Sequence, residues 1–306
     1  MDKYFNDIKS YIIGTDFFYK YNNDKFKYPI DLEFTLKNSG FYYELFDKDG
    51  VPIKNYVSVG KQYNPTRIAA YALAHFNRYT ENNNQESKYI FLKMANWFLN
   101  ISSAIYEYNF DWEDLKAPWI SCMAQGEAVS VLIRAYLVTK ESKYLLHAEK
   151  SLYPFTINNE AGGVQSKIDG KWLFLEEYPG YKTTHVLNGF LYALIGLIEY
   201  LKVNKNKKYE ILRDELLISL EKNIESWGKG KWSFYQIDKN KSIKNYCTPF
   251  YHNLHITQLK FINDSFPNSM LKSTINRWEK GKNNLMVRLK AMFFKVIYRI
   301  KNKASR

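Results

Sequence analysis

Two adjacent carboxylates and a tyrosine precede the most apolar helix that the sequence predicts. They are Glu176, Glu177 and Tyr178, and the apolar run begins at Val186. A helix that is apolar on nearly all sides must be covered by other helices, so the acidic turn lies at the mouth of a buried structure. Carboxyl and phenol groups in such a place can transfer protons. The alternative is a pair of solvated hairpin carboxylates. In a site, we expect Glu177 inward and Glu176 outward, because successive strand residues alternate.

A second polar cluster lies around residue 251. Tyr251, His252, His255 and Gln258 recur at helical spacing among apolar residues. The two histidines form only a weak metal motif, since neither an HExxH pattern nor a clustered third ligand accompanies them. We therefore expect both to make hydrogen bonds, to Tyr251 or to a substrate, and we expect no metal and no cofactor.

Two arginines lie on predicted helices with apolar residues on either side. A charge in the position of Arg67 or Arg134 is seldom buried without a partner. The partner is either an anionic group of a substrate or, for Arg134, an internal salt bridge to Glu127. Gln125 and Asn188 interrupt apolar helices, so each either binds a substrate or caps neighbouring backbone.

The elements that position these residues are mainly helical. Apolar periodicity predicts helices over 66–79, 86–105, 119–139, 142–153, 186–203, 207–226, 267–280 and 284–302, with a weaker pattern over 252–263. Residues 1–60 are irregular, with strand-like stretches over 30–36 and 41–46 and a turn at 47–50, which predicts a short β element. Two further excursions, a hairpin over 162–178 and a strand-like stretch over 231–238, interrupt the helices.

Successive helices alternate in character. Helix 186–203 is almost wholly apolar and helix 119–139 begins with small residues, whereas the helices that follow them, 142–153 and 207–226, are amphipathic. An inner ring wrapped by an outer ring explains this alternation. We predict an all-α dominated fold, an incomplete (α/α) toroid with a small N-terminal β element and β-hairpin excursions at its rim. The expected units are an N-terminal segment 1–60, the toroid 61–282 and a basic amphipathic helix 283–306.

Composition narrows the classes of protein. A hydrophobic fraction of 46% indicates a folded chain, and Cys122 and Cys247 lack the spacing of a disulfide framework or metal site. The apolar run 186–198 is shorter than the roughly 20 residues that span a bilayer, and no export signal is evident. We expect a soluble, cytoplasmic protein. The basic charge is concentrated in one segment without a nucleic-acid-reading motif, so no nucleic-acid partner is expected.

That basic segment follows Glu279 and contains no acidic residue. Nine Lys or Arg occur in it, at positions 280, 282, 288, 290, 295, 299, 301, 303 and 306. An apolar stripe recurs at helical steps: Leu285, Met286, Leu289, Met292, Phe293, Val296, Ile297 and Ile300. Either this stripe packs on the body of the protein, or residues 283–306 lie on an anionic membrane surface at the inner membrane face.

Four blocks occur in the order found in one family and carry a resemblance to it. They read QYNPTRIAAYALAHF, APWISCMAQGEAVSVLIRAYLVT, LEEYP with VLNGFLYALIGL, and FYHNLHITQL. Together they resemble the C-terminal helical domain of the D-glucuronyl C5-epimerases, which invert C5 of glucuronate within a heparan-type polymer. The large β region that precedes this domain in the animal enzymes has no counterpart in the first sixty or so residues.

The resemblance implies a catalytic group of Glu177, Tyr178, Tyr235 and Tyr251. From their positions on predicted helices, and not from the resemblance, the candidates for substrate binding are Arg67, Gln125, Arg134, Asn188, His252 and His255. One position departs from the family, because Asp238 stands where the animal enzymes carry an Arg three residues after the rim tyrosine. If that Arg holds a uronate carboxylate, another residue must do so here.

The function implied is cofactor-independent C5 epimerisation of glucuronate in an acidic polysaccharide or lipid-linked glycan. A polysaccharide lyase forms the same C5 anion and is the nearest alternative. A glycoside hydrolase needs a second acid that these motifs do not supply. A non-catalytic protein that binds acidic glycans is the alternative from another class. The sequence leaves open whether the chain forms a homo-oligomer.

Overall fold

Four helical hairpins form the body of the protein in the computed structural model, which describes residues 2–13, 19–237 and 243–301, and only the backbone of 2–7. The first helix of each hairpin belongs to an inner layer: α4 (Pro65–Asn82), α6 (Cys122–Thr139), α8 (Leu187–Val203) and α10 (Pro249–Ser265). The second belongs to an outer layer: α5 (Gln85–Leu99), α7 (Ser142–Ser151), α9 (Lys207–Asn223) and α11 (Ser269–Lys282). Shorter helices α1 (Asp2–Ile13), α2 (Glu33–Lys37) and α3 (Ser39–Tyr42) come before them, and α12 (Leu285–Lys301) comes after.

Burial separates the two layers as the sequence predicts. Every residue of α8 from Leu187 to Tyr200 is buried, whereas α9 buries only one face. Helices α6 and α8 approach so closely that a Cβ on Gly126 would lie 2.5 Å from the Cα of Ala193. Larger residues there would force the two helices apart. The predicted inner and outer rings are confirmed.

A segment from the N-terminal part of the chain lies between α10 and α4. The Asn253 amide of α10 donates a hydrogen bond of 2.6 Å to the Tyr19 carbonyl. The Tyr28 N–H donates one of 2.7 Å to Asn77 of α4. This segment, rather than further helical hairpins, closes the ring, which gives the incomplete toroid that was predicted.

Three small antiparallel sheets lie against the helices. Strands β1 (Leu45–Phe46), β2 (Pro52–Tyr56) and β3 (Gly60–Tyr63) form the first; β4 (Glu107–Tyr108) pairs with β5 (Trp119–Ile120), and β6 (Gln165–Ile168) pairs with β7 (Trp172–Leu175). The first sheet confirms the β element and its turn at 47–50. The last confirms the hairpin predicted over 162–178.

The structure corrects several local predictions. The stretch 30–36 contains α2 rather than a strand, only residues 45–46 of the stretch 41–46 form a strand, and 2–13 is helical instead of irregular. Short apolar runs do not distinguish strand from helix, so tertiary packing decided these cases. The stretch 231–237 makes only isolated bridges, Phe234 to Tyr246 and Gln236 to Val186. No helix in the described part of the chain is long and apolar enough to cross a bilayer.

Candidate active site

The amino ends of the inner helices surround a small pocket of about 100 Å³. Its lining includes Asn64 and Thr66 at the start of α4, Ser121 and Met123 at the start of α6, and Glu177 before α8. Asn64 and Ser121 are also N-caps, since their side chains accept hydrogen bonds from the Arg67 and Met123 N–H groups. Helix amino ends carry partial positive charge, so several of them around one pocket favour an anionic ligand.

Glu177 lies directly after β7, with its side chain against the first turn of α8. It is 6% exposed, and the Asn188 amide donates a hydrogen bond of 3.2 Å to its Oε2. A Cβ on Gly189 would lie 2.5 Å from the same oxygen, so glycine there makes room for the carboxylate. The side chain reaches the pocket, as predicted, and Asn188 is placed to hold it.

Glu176 does not point outward into solvent, which corrects the prediction. It is completely buried, accepts hydrogen bonds from the His185 N–H at 3.1 Å and from Ser166, and pairs with the His185 Nδ1 at 2.6 Å. This face of the hairpin is covered too, because Phe174 of β7 packs against His185 and against Phe190 of α8. The two carboxylates still have separate partners, as alternation along a strand requires.

The three candidate tyrosines lie in one cluster. Tyr178 and Tyr251, both half-buried, pack with the buried Tyr235. The Tyr235 and Tyr251 rings are edge to face with centroids 5.2 Å apart. Tyr178 also packs beside Trp119 at the pocket, with ring centroids 6.0 Å apart. The structure therefore brings together all four residues, from three distant parts of the chain.

A second carboxyl near Glu177 is that of Glu127, which the sequence predicted only as a partner for Arg134. Glu127 on α6 is 2% exposed, and its Oε2 has no hydrogen-bond partner among the described residues. It lies one helical turn below the pocket residue Met123. Burial and then the charge of Glu177 raise the pKa of Glu127 well above its usual range. A protonated, neutral Glu127 follows from this environment. The signal in the sequence was an acid inside an otherwise apolar helix.

Tyrosines also fill the interior around Glu127. Burial raises the pKa values of Tyr19, Tyr108 and Tyr192 well above their usual range. The interior thus contains neutral phenols rather than cations.

The two arginines have different environments. Arg134 is at the other end of α6, where it donates hydrogen bonds of 2.8 and 2.6 Å to the two carboxylate oxygens of Glu199. The ion pair predicted for Arg134 exists, but its partner is Glu199 and not Glu127, and it leaves Arg134 no substrate role. Arg67 is half-buried beside the pocket, and its positive charge acts on Tyr42 and Tyr56. Within the described residues its guanidinium makes no ion pair.

Three other candidates for substrate binding make hydrogen bonds within the protein itself. The Gln125 side chain accepts from the Tyr106 N–H and donates to the carbonyls of Ala104 and Ser151, so it caps backbone as the alternative reading held. His252 and His255 are fully buried, and both lie within hydrogen-bond distance of Ser233. Burial lowers the pKa of His252 to about 3, so it is neutral. The two histidines therefore hold the stretch around Ser233 in place instead of contacting sugar.

The described residues contain no group of three or more His, Cys, Asp or Glu side chains that could hold a metal ion. A larger cavity, of about 950 Å³, is not at this site. It lies at the carboxyl ends of α6, α8 and α10 and is lined by Arg134, Glu199 and Lys202. We place the chemistry in the smaller pocket because Glu177 and Tyr178 line it.

Comparison with known proteins identifies the family to which the chain belongs. The profile described as "D-glucuronyl C5-epimerase C-terminus" matches residues 93–280, more than half of the chain. The chain belongs to the D-glucuronyl C5-epimerase C-terminal family. Its residues 177, 178, 235 and 251, which carry the resemblance, all fall within the matched range. Asp238, the departure from the family, lies outside the described residues.

Two curated relatives of this epimerase-family chain have been found. One is the D-glucuronyl C5-epimerase of Caenorhabditis elegans, 33% identical over 174 residues, which are 52% of this chain and 28% of that protein. The other is an uncharacterized protein of Methanocaldococcus jannaschii, 23% identical over 186 residues and 59% of each chain. The chain thus spans less than two thirds of either relative.

A solved structure supports the fold. Cellobiose 2-epimerase from Bacillus thermoamylovorans superposes with a TM-score of 0.53 at 13% identity, covering 72% of this chain and 60% of that one. At this identity the likeness concerns architecture alone, and it agrees with the toroid described above.

Proposed function

We propose that this family member is an isomerase that inverts C5 of glucuronate residues in an acidic polysaccharide or lipid-linked glycan. The observation that carries the proposal is that Glu177 and Tyr178 line one pocket of the family domain and that Tyr178 packs in one cluster with Tyr235 and Tyr251.

The chemistry requires groups of this kind. The C5 proton is next to a carboxylate, and its removal leaves a very unstable anion. One group must take the proton from one face of the ring, and another must return a proton to the opposite face. A carboxylate and a phenol from separate elements can act in this way. Glu177 serves as one proton-transfer group and Tyr251 as the other, with Tyr178 and Tyr235 packed beside them.

The developing negative charge also needs compensation. Arg67 is the half-buried cation beside the pocket, and the amino ends of α4 and α6 add their partial positive charge. We assign to Arg67 the grip on the uronate carboxylate, in place of the family Arg that Asp238 replaces. Asn188, whose Oδ1 is buried without a described partner, is placed to orient Glu177.

The test is deuterium uptake at C5 of a glucuronate polymer in heavy water. The wild-type chain exchanges this proton, and Glu177→Gln and Tyr251→Phe each lower the exchange rate by about 10²–10⁴-fold. Tyr153→Phe, an exposed tyrosine elsewhere, is the control and exchanges normally. Unchanged exchange in both site variants contradicts the assignment of residues.

The same experiment separates the alternatives. A lyase gives an unsaturated uronate that absorbs in the ultraviolet, whereas an epimerase gives exchange without this product. A non-catalytic protein binds the polymer and exchanges nothing. A hydrolase needs paired acids across the bond, and Glu127 does not line the pocket. The cytoplasmic location and a growing heparan-like polymer as substrate stay predictions of this proposal.

A further inference from the structure

The apolar stripe of α12 faces solvent. The helix buries a single residue, Ala291, against Tyr11 and Trp232. On the side away from that contact its large apolar residues are exposed: Leu285 47%, Met286 74%, Phe293 60%, Val296 42% and Ile300 71%. An amphipathic helix normally turns such a stripe toward the protein core. Of the two alternatives for this stripe, packing on the body of the protein therefore does not apply to these five residues.

The neighbouring helix extends the apolar surface. α1 packs against α12, with the Arg288 Nε donating a hydrogen bond of 2.9 Å to the Tyr11 carbonyl. It exposes Ile8, Ile12 and Ile13, at 44%, 50% and 63%. We call this surface the α1–α12 face: Ile8, Ile12 and Ile13 with the five exposed residues of α12. This number of exposed large apolar side chains on two packed helices marks a binding surface.

The charges on α12 have one sign. α12 contains five Lys or Arg and no acidic residue: Arg288, Lys290, Lys295, Arg299 and Lys301. Lys290 and Lys301 are exposed beside the apolar stripe. Exposed apolar side chains flanked by cations match an anionic lipid surface, where the side chains enter the headgroup boundary and the cations meet the phosphates.

We propose that the α1–α12 face docks on an anionic membrane surface. Charge complementarity chooses this occupant over a second copy of the chain, because two copies would place two sets of cations against each other. No described helix can span the bilayer, so the contact is peripheral.

The face is connected to the candidate site by a short path. The Lys295 Nζ donates a hydrogen bond of 2.6 Å to Asn245, and Phe294 stacks on Tyr246 with ring centroids 5.1 Å apart. The Asn245 carbonyl in turn accepts from the Tyr235 N–H at 2.8 Å. If the proposed function holds, a docked protein presents its pocket near the membrane, which favours a lipid-linked glycan as the substrate. Docking itself does not depend on catalysis.

The experiment is sedimentation of the full chain with vesicles of phosphatidylcholine, alone or mixed with an equal part of phosphatidylglycerol. The protein pellets with the anionic vesicles and stays in solution with the neutral ones. Lys290→Gln/Lys301→Gln weakens partitioning by about 20- to 30-fold, at about fivefold for each charge. Lys207→Gln/Lys229→Gln, which removes two exposed cations elsewhere, leaves partitioning unchanged.

A second pair of variants tests the apolar contact. Phe293→Glu abolishes pelleting, whereas Leu146→Glu, at a residue of equal 60% exposure on α7, does not. The proposal is overturned if the wild type does not pellet with anionic vesicles. It is also overturned if the chain is a dimer that Phe293→Glu converts to monomers, or if Lys290 and Lys301 hold only soluble glucuronate polymer. C5 exchange on a soluble polymer is measured separately, so failure of docking and failure of epimerisation are distinguishable.

Discussion

At the carboxyl ends of α6 and α8, Arg134 and Glu199 form a buried, bidentate ion pair, whereas toward the amino ends of the same helices Glu127 is buried and its Oε2 has no hydrogen-bond partner among the described residues. Both regions take ionisable groups out of water. Only the first supplies the partner that a buried charge needs. The comparison separates a region built for stability from one that leaves polar groups available.

The helix dipoles agree with this difference between the carboxyl and amino ends of the inner helices. Carboxyl ends favour cations, and Arg134 and Lys202 lie there beside the large cavity. Amino ends favour anions, and the small pocket with Glu177 lies there. A uronate carboxylate is thus expected at the amino ends, although the larger space is at the other end.

The largest effect is expected from breaking the ion pair. Arg134→Met leaves Glu199 buried and unpaired, so the free energy of unfolding falls by about 3–5 kcal/mol. Arg67→Met removes an arginine that has no ion pair and lowers it by less than about 1 kcal/mol. Urea denaturation measures both. Equal losses in the two variants contradict the contrast between the two ends.

The second effect concerns activity at the pocket. Arg67→Met removes a charged donor to the substrate and lowers kcat/KM for C5 exchange by about 10- to 100-fold. Arg67→Lys keeps the charge without the planar fork and recovers part of this loss. Arg78→Met is the matched control, because Arg78 lies on the same helix but pairs with Glu33. Loss of activity in the control would mean that α4 as a whole, and not Arg67, is responsible.

The smallest effect concerns pH. Burial raises the pKa of Glu127 in the folded protein above its unfolded value. The stability from this group is therefore fully present below the unfolded pKa, and it is lost as pH rises toward the folded pKa. Glu127→Gln removes this pH dependence. The free energy of unfolding of the variant relative to that of the wild type is therefore higher at pH 8 than at pH 4, by on the order of 1 kcal/mol.

Glu199→Gln is the partner experiment at the far end. It leaves Arg134 without its ion-pair partner and destabilises the protein at pH 8. This change in stability is opposite in sign to that of Glu127→Gln. Thermal unfolding of both variants across pH measures the difference. The same sign in both would show that Glu127 is ionised and paired after all.

The sequence predicted the regular helices within a few residues, because apolar periodicity and caps such as Asn64 and Thr248 act locally. It was less successful before residue 60. There α2 and α3 are too short for a helical period, and their packing against α4 decides their conformation. The helix over 86–105 ends at Leu99 for a similar reason, since the residues after it turn toward β4.

At the site, the sequence predicted which residues matter better than it predicted their partners. Glu177 and the three tyrosines came from the family resemblance, and the structure gathers them. Apolar flanks indicated that Arg134 is buried, but a partner 65 residues away depends on how α6 meets α8. Helical spacing placed His252 and His255 near Tyr251 without showing that both point into the core. The stripe on α12 gave no indication of which side faces solvent.

The ring closes through contacts between residues that are very far apart in sequence. Tyr19 and Tyr21 bond to Asn253 and Asp264, separations of 234 and 243 residues. Such distant pairings form late in folding, because their entropic cost must be met before they stabilise anything. During synthesis the ribosome must release α10 before the wall around Tyr251 is complete. The cluster of Tyr178, Tyr235 and Tyr251 is therefore completed only after α10 has left the ribosome, and a nascent chain that ends before α10 carries the pocket residues without Tyr251.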